Sequence, residues 1–255
     1  MSAGVASDRL PVLAAVDWGT SSFRLWLLDA AGTVVAERRG SDGMATLQPD
    51  QFEPVLRRHL AAAGVEESHP DDPLPVIVCG MAGARQGWRE AGYVDVPAAV
   101  DAIADPAIRV PAAGLDVRIL PGLAQRNPTA PDVMRGEETQ LLGLCLAERQ
   151  LTATVVMPGT HSKWVNLRGG RVEAFRTVMT GELFALLGRQ STLKHAIADS
   201  AQPTDLRSNA FLEGVTAVRR SPTGVIGNLF SIRAASLLFG GGGQKPADRL
   251  SGLLI

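Results

Sequence analysis

Cysteine is nearly absent: 255 residues hold two, Cys79 and Cys145. Two thiols so far apart form neither a metal-binding spacing nor a disulfide framework. Both read as buried free thiols of a protein kept in a reducing compartment. Charge of either sign is not in excess, with 25 Lys and Arg against 26 Asp and Glu. A formal net charge of −1 gives no ground for expecting nucleic acid or an anionic membrane as partner. Long apolar runs are also missing; Leu141–Ala147 is far shorter than the ~20 residues that span a bilayer. The start, Met1 to Leu10, has no basic residues leading into an apolar core, so no secretory signal is read there. No short-period repeat occurs, and Gly240–Gly243 alone has linker composition. What is present, 45% hydrophobic and 20% charged residues, is the make-up of a globular, cytoplasmic protein of one large domain or two modest ones.

Apolar patterning organises the chain. Val12–Val16, Phe23–Asp29 and Val34–Arg39 read as strands, with Ala30 to Thr33 turning between the last two. Asp50–Ala63 has helical spacing at Phe52, Val55, Leu56 and Leu60 and is ended by Gly64. Val76–Cys79 suits a buried parallel strand. Strand, strand, strand, helix, strand is the order of a ribonuclease H-like half-domain. The second half repeats it: Thr152–Met157, Lys163–Leu167 and Arg171–Arg176 are predicted strands, Arg168-Gly169-Gly170 a hairpin turn, and Gly181–Leu187 the start of a helix. A helix over Glu137–Arg149 lies between the halves, and a strand at Ile119–Leu120 ends in Pro121-Gly122. The expected architecture is therefore α/β, with duplicated lobes over 1–130 and 131–255. The helical pattern of Asp248–Ile255 has barely begun at the last residue, so the second lobe is expected to lack its final strand and helix.

One short word is written twice. Gly19-Thr20-x-Ser22 follows the first strand and Gly159-Thr160-x-Ser162 follows its counterpart in the second half. Glycine lets the backbone approach an anion, exposed N–H groups point at it, and small hydroxyls add donors. Such a pair suits the phosphates of a nucleotide, and Gly19, Thr20, Ser21, Gly159 and Thr160 are the expected ATP contacts. Asp17, at the end of a buried strand just before the first loop, suits Mg²⁺ bridging phosphate oxygens. The second loop has Met157 and Pro158 at that place, so it offers no second acid. Lys163 either neutralises phosphate or a substrate carboxylate, or is an ordinary solvated strand residue, and His161 is read as donating to phosphate or backbone in preference to acting as a general base. Arg24 either orients Asp17 or reaches a substrate carboxylate.

Arg135 and Gly136 precede Glu137-Glu138 in a tight helix entry that projects one carboxylate into a cleft. A carboxylate there accepts the proton of an attacking hydroxyl; Glu138 is preferred, with Glu137 next. Loops at the carboxyl ends of parallel strands usually hold substrate. Gly80 to Glu90 is such a loop, glycine-rich, with Arg85, Trp88 and Glu90 suited to a sugar-like molecule. Phe175 to Glu182 ends another strand, and Thr180 is the expected N-cap of the helix that follows.

Taken in order, these segments resemble the 2-dehydro-3-deoxygalactonokinase family of the actin/hexokinase/Hsp70 superfamily. The resemblance is carried by Asp17-Trp18-Gly19-Thr20-Ser21 with Arg24, Gly80 to Gly83 with Gly87-Trp88, Leu120 to Leu123, Val133 to Gln140, Met157 to Trp164 and Phe175 to Leu183. It resumes at Phe230 to Arg233 and Leu250 to Ile255. The resemblance implies an actin-like ATPase fold, and transfer of the ATP γ-phosphate to the 6-hydroxyl of 2-dehydro-3-deoxy-D-galactonate in galactonate catabolism. It implies ATP and Mg²⁺ as cofactors. Met81, Ala82, Trp88, Arg24, Arg135, Arg176 and Thr180 become the expected substrate contacts. A homodimer is carried as an option. Relatives continue past Ser-Gly-Leu-Leu-Ile into an adenosine-holding strand and turn, so two alternatives stand beside the kinase: a non-catalytic sugar-acid-binding remnant, and a phosphohydrolase or kinase of the same superfamily with another acceptor.

Overall fold

The computed structural model describes residues 10–65, 72–197, 203–221 and 223–255. The stretch read above for a secretory signal therefore lies, up to Arg9, outside the described residues. The chain forms two compact units: 1–155 with 165–176, and 156–164 with 177–255.

The first unit begins with β1 (Leu13–Trp18), β2 (Phe23–Leu28) and β3 (Val34–Gly40), then α1 (Phe52–Ala62) and β4 (Leu74–Gly80). Short strands follow: β5 (Tyr93–Asp95), β6 (Ala98–Ala99), β7 (Ile108–Ala112), β8 (Leu115–Ile119), β9 (Gly122–Gln125) and β10 (Asp132–Met134). Helix α2 (Glu137–Ala147) and β11 (Ala153–Met157) close this stretch. The main sheet has the order β3-β2-β1-β4-β8-β7. β1 pairs β4 and β4 pairs β8 in parallel, while β2, β3 and β7 run antiparallel to their neighbours. This is the half-domain the sequence order predicts, with β7 added at one edge. The parallel direction places the loops after Trp18, Gly80 and Ile119 at one end of the sheet, where α/β sheets hold ligands.

Alternation decides which face is buried. Ala14, Val16 and Trp18 on β1 and Phe23, Leu25 and Leu27 on β2 are buried, as period-two strands require. Helix α1 packs Phe52, Val55, Leu56, His59 and Leu60 into the same core, one stripe at helical spacing. Just past that helix, Gly64 turns the chain, donating to the Ala61 carbonyl at 3.0 Å. Short strands β9, β10 and β5 form a small separate sheet.

A further sheet has the order β11-β12-β13-β6, with β12 (Ser162–Arg168) and β13 (Arg171–Val178) joined by the expected turn. Gly169 and Gly170 there have φ of +56° and +74°, the left-handed pair that a two-residue hairpin demands. The fourth place is filled by β6 from the first half, with Ala98 and Ala99 opposite Val172 and Arg171.

The second unit is mainly helical: α3 (Thr180–Gln190), α4 (Lys194–Ile197), α5 (Asn209–Arg220), α6 (Gly224–Phe239) and α7 (Gln244–Leu254). Its core gathers Leu193, Ile197, Ile232, Leu250 and Leu253. Glycines let α5 and α7 meet backbone to backbone: a Cβ on Gly214 would sit 2.5 Å from the Arg249 carbonyl oxygen. Helix α6 is apolar almost throughout yet buries Ile232 alone. Among the described residues, no helix is long and apolar enough to cross a membrane.

Candidate active site

In the first unit, Asp17 sits at the end of β1 opposite Arg24 on β2. The Arg24 Nη1 donates to Asp17 Oδ2 at 3.1 Å, a contact consistent with the orienting role foreseen for Arg24. The loop that follows is closed by the Gly19 N–H donating to the Ser22 carbonyl at 2.8 Å. Its carbonyls point inward: Gly19 and Thr20 accept from the Met44 and Ala45 amides at 3.0 and 2.9 Å. The amides of Thr20, Ser21 and Ser22 have no partner among the described residues. Thr20 and Ser21 are exposed. The donor set of this corner is one carboxylate and several hydroxyls. It fits a hard divalent ion shared with phosphate and water, not a closed protein cage.

Three backbone segments converge beside Asp17, and glycine permits it. Gly80, at the end of β4, has φ +85°, and a Cβ there would lie 2.6 Å from the Trp18 carbonyl and 3.4 Å from Asp17 Oδ1. From the other side, a Cβ on Gly136 would lie 3.4 Å from the Gly80 Cα. The start of α2 is thereby brought against the ends of β1 and β4.

The two glutamates at that helix start differ. Glu138 has no exposed surface, and both its carboxylate oxygens accept the Gly136 N–H, at 2.8 and 2.7 Å. Burial pushes its carboxyl up to about 7, against the pull of the Glu138 and Gly136 amides. Glu137 is partly exposed and accepts the Arg135 N–H at 3.1 Å. Cys79, buried on β4, is pushed up to about 12 by burial and then by the negative charges of Asp17 and Glu138.

The expected substrate contacts divide. Met81 is half-buried in a 3-10 turn, and Ala82 beside it is wholly buried in the core. Trp88 packs on that core, 6.1 Å from the Phe52 ring and stacked on it. Arg135 turns inward: Nη2 donates to the Ala91 carbonyl at 2.6 Å, and its guanidinium lies 4.5 Å from the Tyr93 ring centre. Its Nε and Nη1 are buried without a partner. Arg176, the last residue of its stretch in this unit, is exposed.

The second unit carries the other loop. Pro158, Gly159, Thr160 and His161 are all exposed. The amides of Thr160 and His161 have no partner among the described residues. The loop is pinned to the start of α3. The Glu182 N–H donates to the Thr160 carbonyl at 3.0 Å, and a Cβ on Gly181 would sit 2.7 Å from the Gly159 carbonyl oxygen. The Thr180 hydroxyl bonds Ser162 Oγ and donates to the Gly159 carbonyl at 3.4 Å. This corrects the reading of Thr180 as an N-cap: it is the first helical residue, Met179 is the cap, and the hydroxyl is taken by the loop. His161 Nε2 is hydrogen-bonded to Glu182 Oε2, a partner that its position in sequence does not reveal. Lys163 is 4% exposed and makes a polar contact of its own, which excludes the solvated strand residue. A cavity of about 300 Å³ adjoins this loop, walled by Gly159, Ser162, Thr180, Phe184, Ser251 and Leu254.

Sequence reasoning missed Asp42, His59 and Glu182. Asp42 and His59 hold the first loop from behind, and Glu182 holds the second. None lies within a few residues of the loop it touches, so no local spacing points to them.

Comparison with known proteins agrees with this arrangement. Residues 17–255 match the family described as 2-keto-3-deoxy-galactonokinase. A probable 2-dehydro-3-deoxygalactonokinase of Rhizobium meliloti (strain 1021) is 51% identical over 242 residues, 95% of this chain and 77% of that protein. The 2-dehydro-3-deoxygalactonokinase of Escherichia coli (strain K12) is 36% identical over 244 residues, 94% of this chain and 77% of that one. A crystal structure from Sinorhizobium meliloti, provisionally named a 2-dehydro-3-deoxygalactonokinase, superposes with a TM-score of 0.87 at 50% identity. That match covers 95% of this chain and 78% of the solved one.

Proposed function

The chain belongs to the 2-keto-3-deoxy-galactonokinase family, and from that membership we infer that it is a kinase that phosphorylates the 6-hydroxyl of 2-dehydro-3-deoxy-D-galactonate with ATP. The observation that carries the reading in the structure is the first loop, whose amides at residues 20–22 have no partner among the described residues and which begins two residues after Asp17. Phosphoryl transfer asks the protein mainly for positioning and charge stabilisation, and a ring of fixed N–H donors supplies both.

In this reading Thr20 and Ser21 hold phosphate oxygens in the first unit, and Thr160, His161 and Lys163 do so in the second, while Gly19 and Gly159, whose amides are bonded within their own loops, let the backbone come close. Asp17, kept in place by Arg24, would hold Mg²⁺. The metal, when bound, neutralises charge developing on the phosphates. Glu138 is the proposed proton acceptor for the sugar hydroxyl, because a carboxyl raised to about 7 is matched to work near neutral pH. A second assignment has an observation of its own: Glu137 has exposed surface and Glu138 has none. Met81, Trp88, Arg135, Arg176 and Thr180 remain proposed neighbours of the sugar acid, Ala82 through its backbone. The lobes over 1–130 and 131–255 belong to the same reading; each contains a run of three consecutive strands, β1–β3 in the first and β11–β13, after β10 and α2, in the second.

The test is a coupled assay of ADP release with and without 2-dehydro-3-deoxy-D-galactonate. Release that depends on the acid supports the kinase; release with water alone overturns it. The two glutamates separate in the same assay. Glu138→Gln is expected to lower kcat by roughly 10²–10⁴-fold while ATP still binds. If Glu137→Gln shows that loss and Glu138→Gln does not, the roles are exchanged.

A further inference from the structure

Beyond its own Gly19–Ser22 bond, the first loop is shaped by a neighbouring segment. Its carbonyls are tied to the segment Ser41–Thr46, which follows β3 and contributes the Met44 and Ala45 amides. Gly43 in that segment lies so close under Ser21 and Thr20 that a Cβ would collide with their backbone. Within the segment Asp42 makes three bonds to residues outside it. Its carbonyl accepts the Trp18 indole N–H at 2.8 Å. Its carboxylate accepts Arg58 Nη2 at 2.6 Å on one oxygen and His59 Nε2 at 2.9 Å on the other.

These bonds reach both ends of the loop. Trp18 is the residue just before it. Phe23 is the residue just after it, and the His59 ring stacks on Phe23 with centres 4.2 Å apart and planes 20° from parallel. Trp18 and Phe23 themselves meet edge to face at 4.8 Å. His59 is nearly buried on α1, so the grip is anchored in the main core of the unit. A Cβ on Gly40 would lie 2.8 Å from Asp42 Oδ2 and 2.9 Å from the His59 ring, so the pair occupies a fitted space. Holding the carbonyl side of a loop fixed is what leaves its N–H side turned outward, and preorganised donors are worth most when they need not reorient.

We infer that Asp42 and His59 are positioning residues that set the outward amides of residues 20–22 for a nucleoside polyphosphate, touching neither phosphate nor sugar. This rests on the reading that the first loop binds phosphate. Its signature is selective: the nucleotide constants move and the constant for the sugar acid does not. Misplacement of about 1 Å in a positioning group costs up to roughly a hundredfold in rate, so Asp42→Ala is expected to weaken ADP binding and raise the KM for ATP by roughly ten- to a hundredfold.

The experiment measures ADP affinity by titration calorimetry and both KM values for the full chain carrying Asp42→Ala, Asp42→Asn, His59→Ala or His59→Gln. Asp42→Asn and His59→Gln keep part of the hydrogen bonding, so each is expected to recover part of what its alanine variant loses. They also serve where an alanine variant does not fold. A fall in melting temperature with ADP affinity and KM for ATP unchanged would overturn the proposal, because that is the mark of a merely structural pair. Equal rises in both KM values would overturn it too. Thr20→Asp, an exposed change that puts a negative charge on the loop, separates this from the underlying reading. If Thr20→Asp leaves ADP binding intact, the phosphate-loop reading itself fails. If Thr20→Asp abolishes binding and Asp42→Ala does not alter it, the positioning role alone fails.

Discussion

At the scale of single residues, environment outweighs identity. Glu137 and Glu138 are the same residue one position apart, yet one is accessible and the other sealed. Water solvates the charged form of the first; the second is left with the Gly136 amide as its nearest donor, and burial raises its carboxyl from 4.5 to about 7. The sign of the consequence follows. Between those pH values the folded protein keeps a proton that the unfolded chain has released, so stability falls as pH rises through the window and levels off above it. From pH 5 to 8, unfolding by denaturant is expected to show the wild type losing roughly 2–3 kcal/mol relative to Glu138→Gln. Equal pH dependence in the two proteins would refute the burial. Position in the helix was readable in sequence; which of the two glutamates loses its water was not, because that depends on Gly80 and Gly136 approaching from distant segments.

At the scale of elements, glycine does two different jobs. Gly181, in the first turn of α3, lies against the second loop, and a Cβ there would sit 2.9 Å from the Thr160 Cα. Gly181→Ala must push the loop away, at a cost of about 1–3 kcal/mol and with weaker ADP binding by calorimetry. Gly143 lies within α2 with nothing inside 4 Å of an added Cβ. Gly143→Ala is therefore expected to stabilise the protein by about 0.4–1 kcal/mol, read from the denaturation midpoint. Many of the strands and helices were legible, though not β7, α4, α5 or α6. β1, β2, β3, β4, α1 and α2 fall where periodicity puts them, within a few residues, because a stripe of period two or 3.6 is a local property; α7 starts earlier, at Gln244, and has three turns where the pattern was expected only to begin. The short strands β5, β6, β9 and β10 were not foreseen. With two to four residues each, they carry too little alternation to stand out, and β6 exists through its pairing with β13.

At the scale of the whole molecule, near-zero charge meets an exposed apolar helix. The net charge is −1 and the isoelectric point about 6.4, so charge repulsion between copies fades close to neutrality. Helix α6 leaves Ile226, Phe230, Leu238 and Phe239 at 84%, 65%, 74% and 85% exposure, and apolar surface of that kind promotes association. Light scattering is expected to peak near pH 6.4, to fall by pH 8, and to be reduced at every pH by Ile226→Lys with Phe239→Lys; a flat profile would refute this. By itself the sequence determined β1 to β4 with α1, helix α2, strands β11 to β13, the two glycine loops with Asp17 beside the first, and the family, since all of these lie in contiguous words. Tertiary structure alone decided that Glu138 and Lys163 are buried, that Thr180 serves the loop instead of capping its helix, and that Asp42 meets Trp18 before the first loop while its partner His59 stacks on Phe23 after it. Those outcomes rest on solvent exclusion and on contacts across 17 or more residues of chain, and no local pattern encodes either.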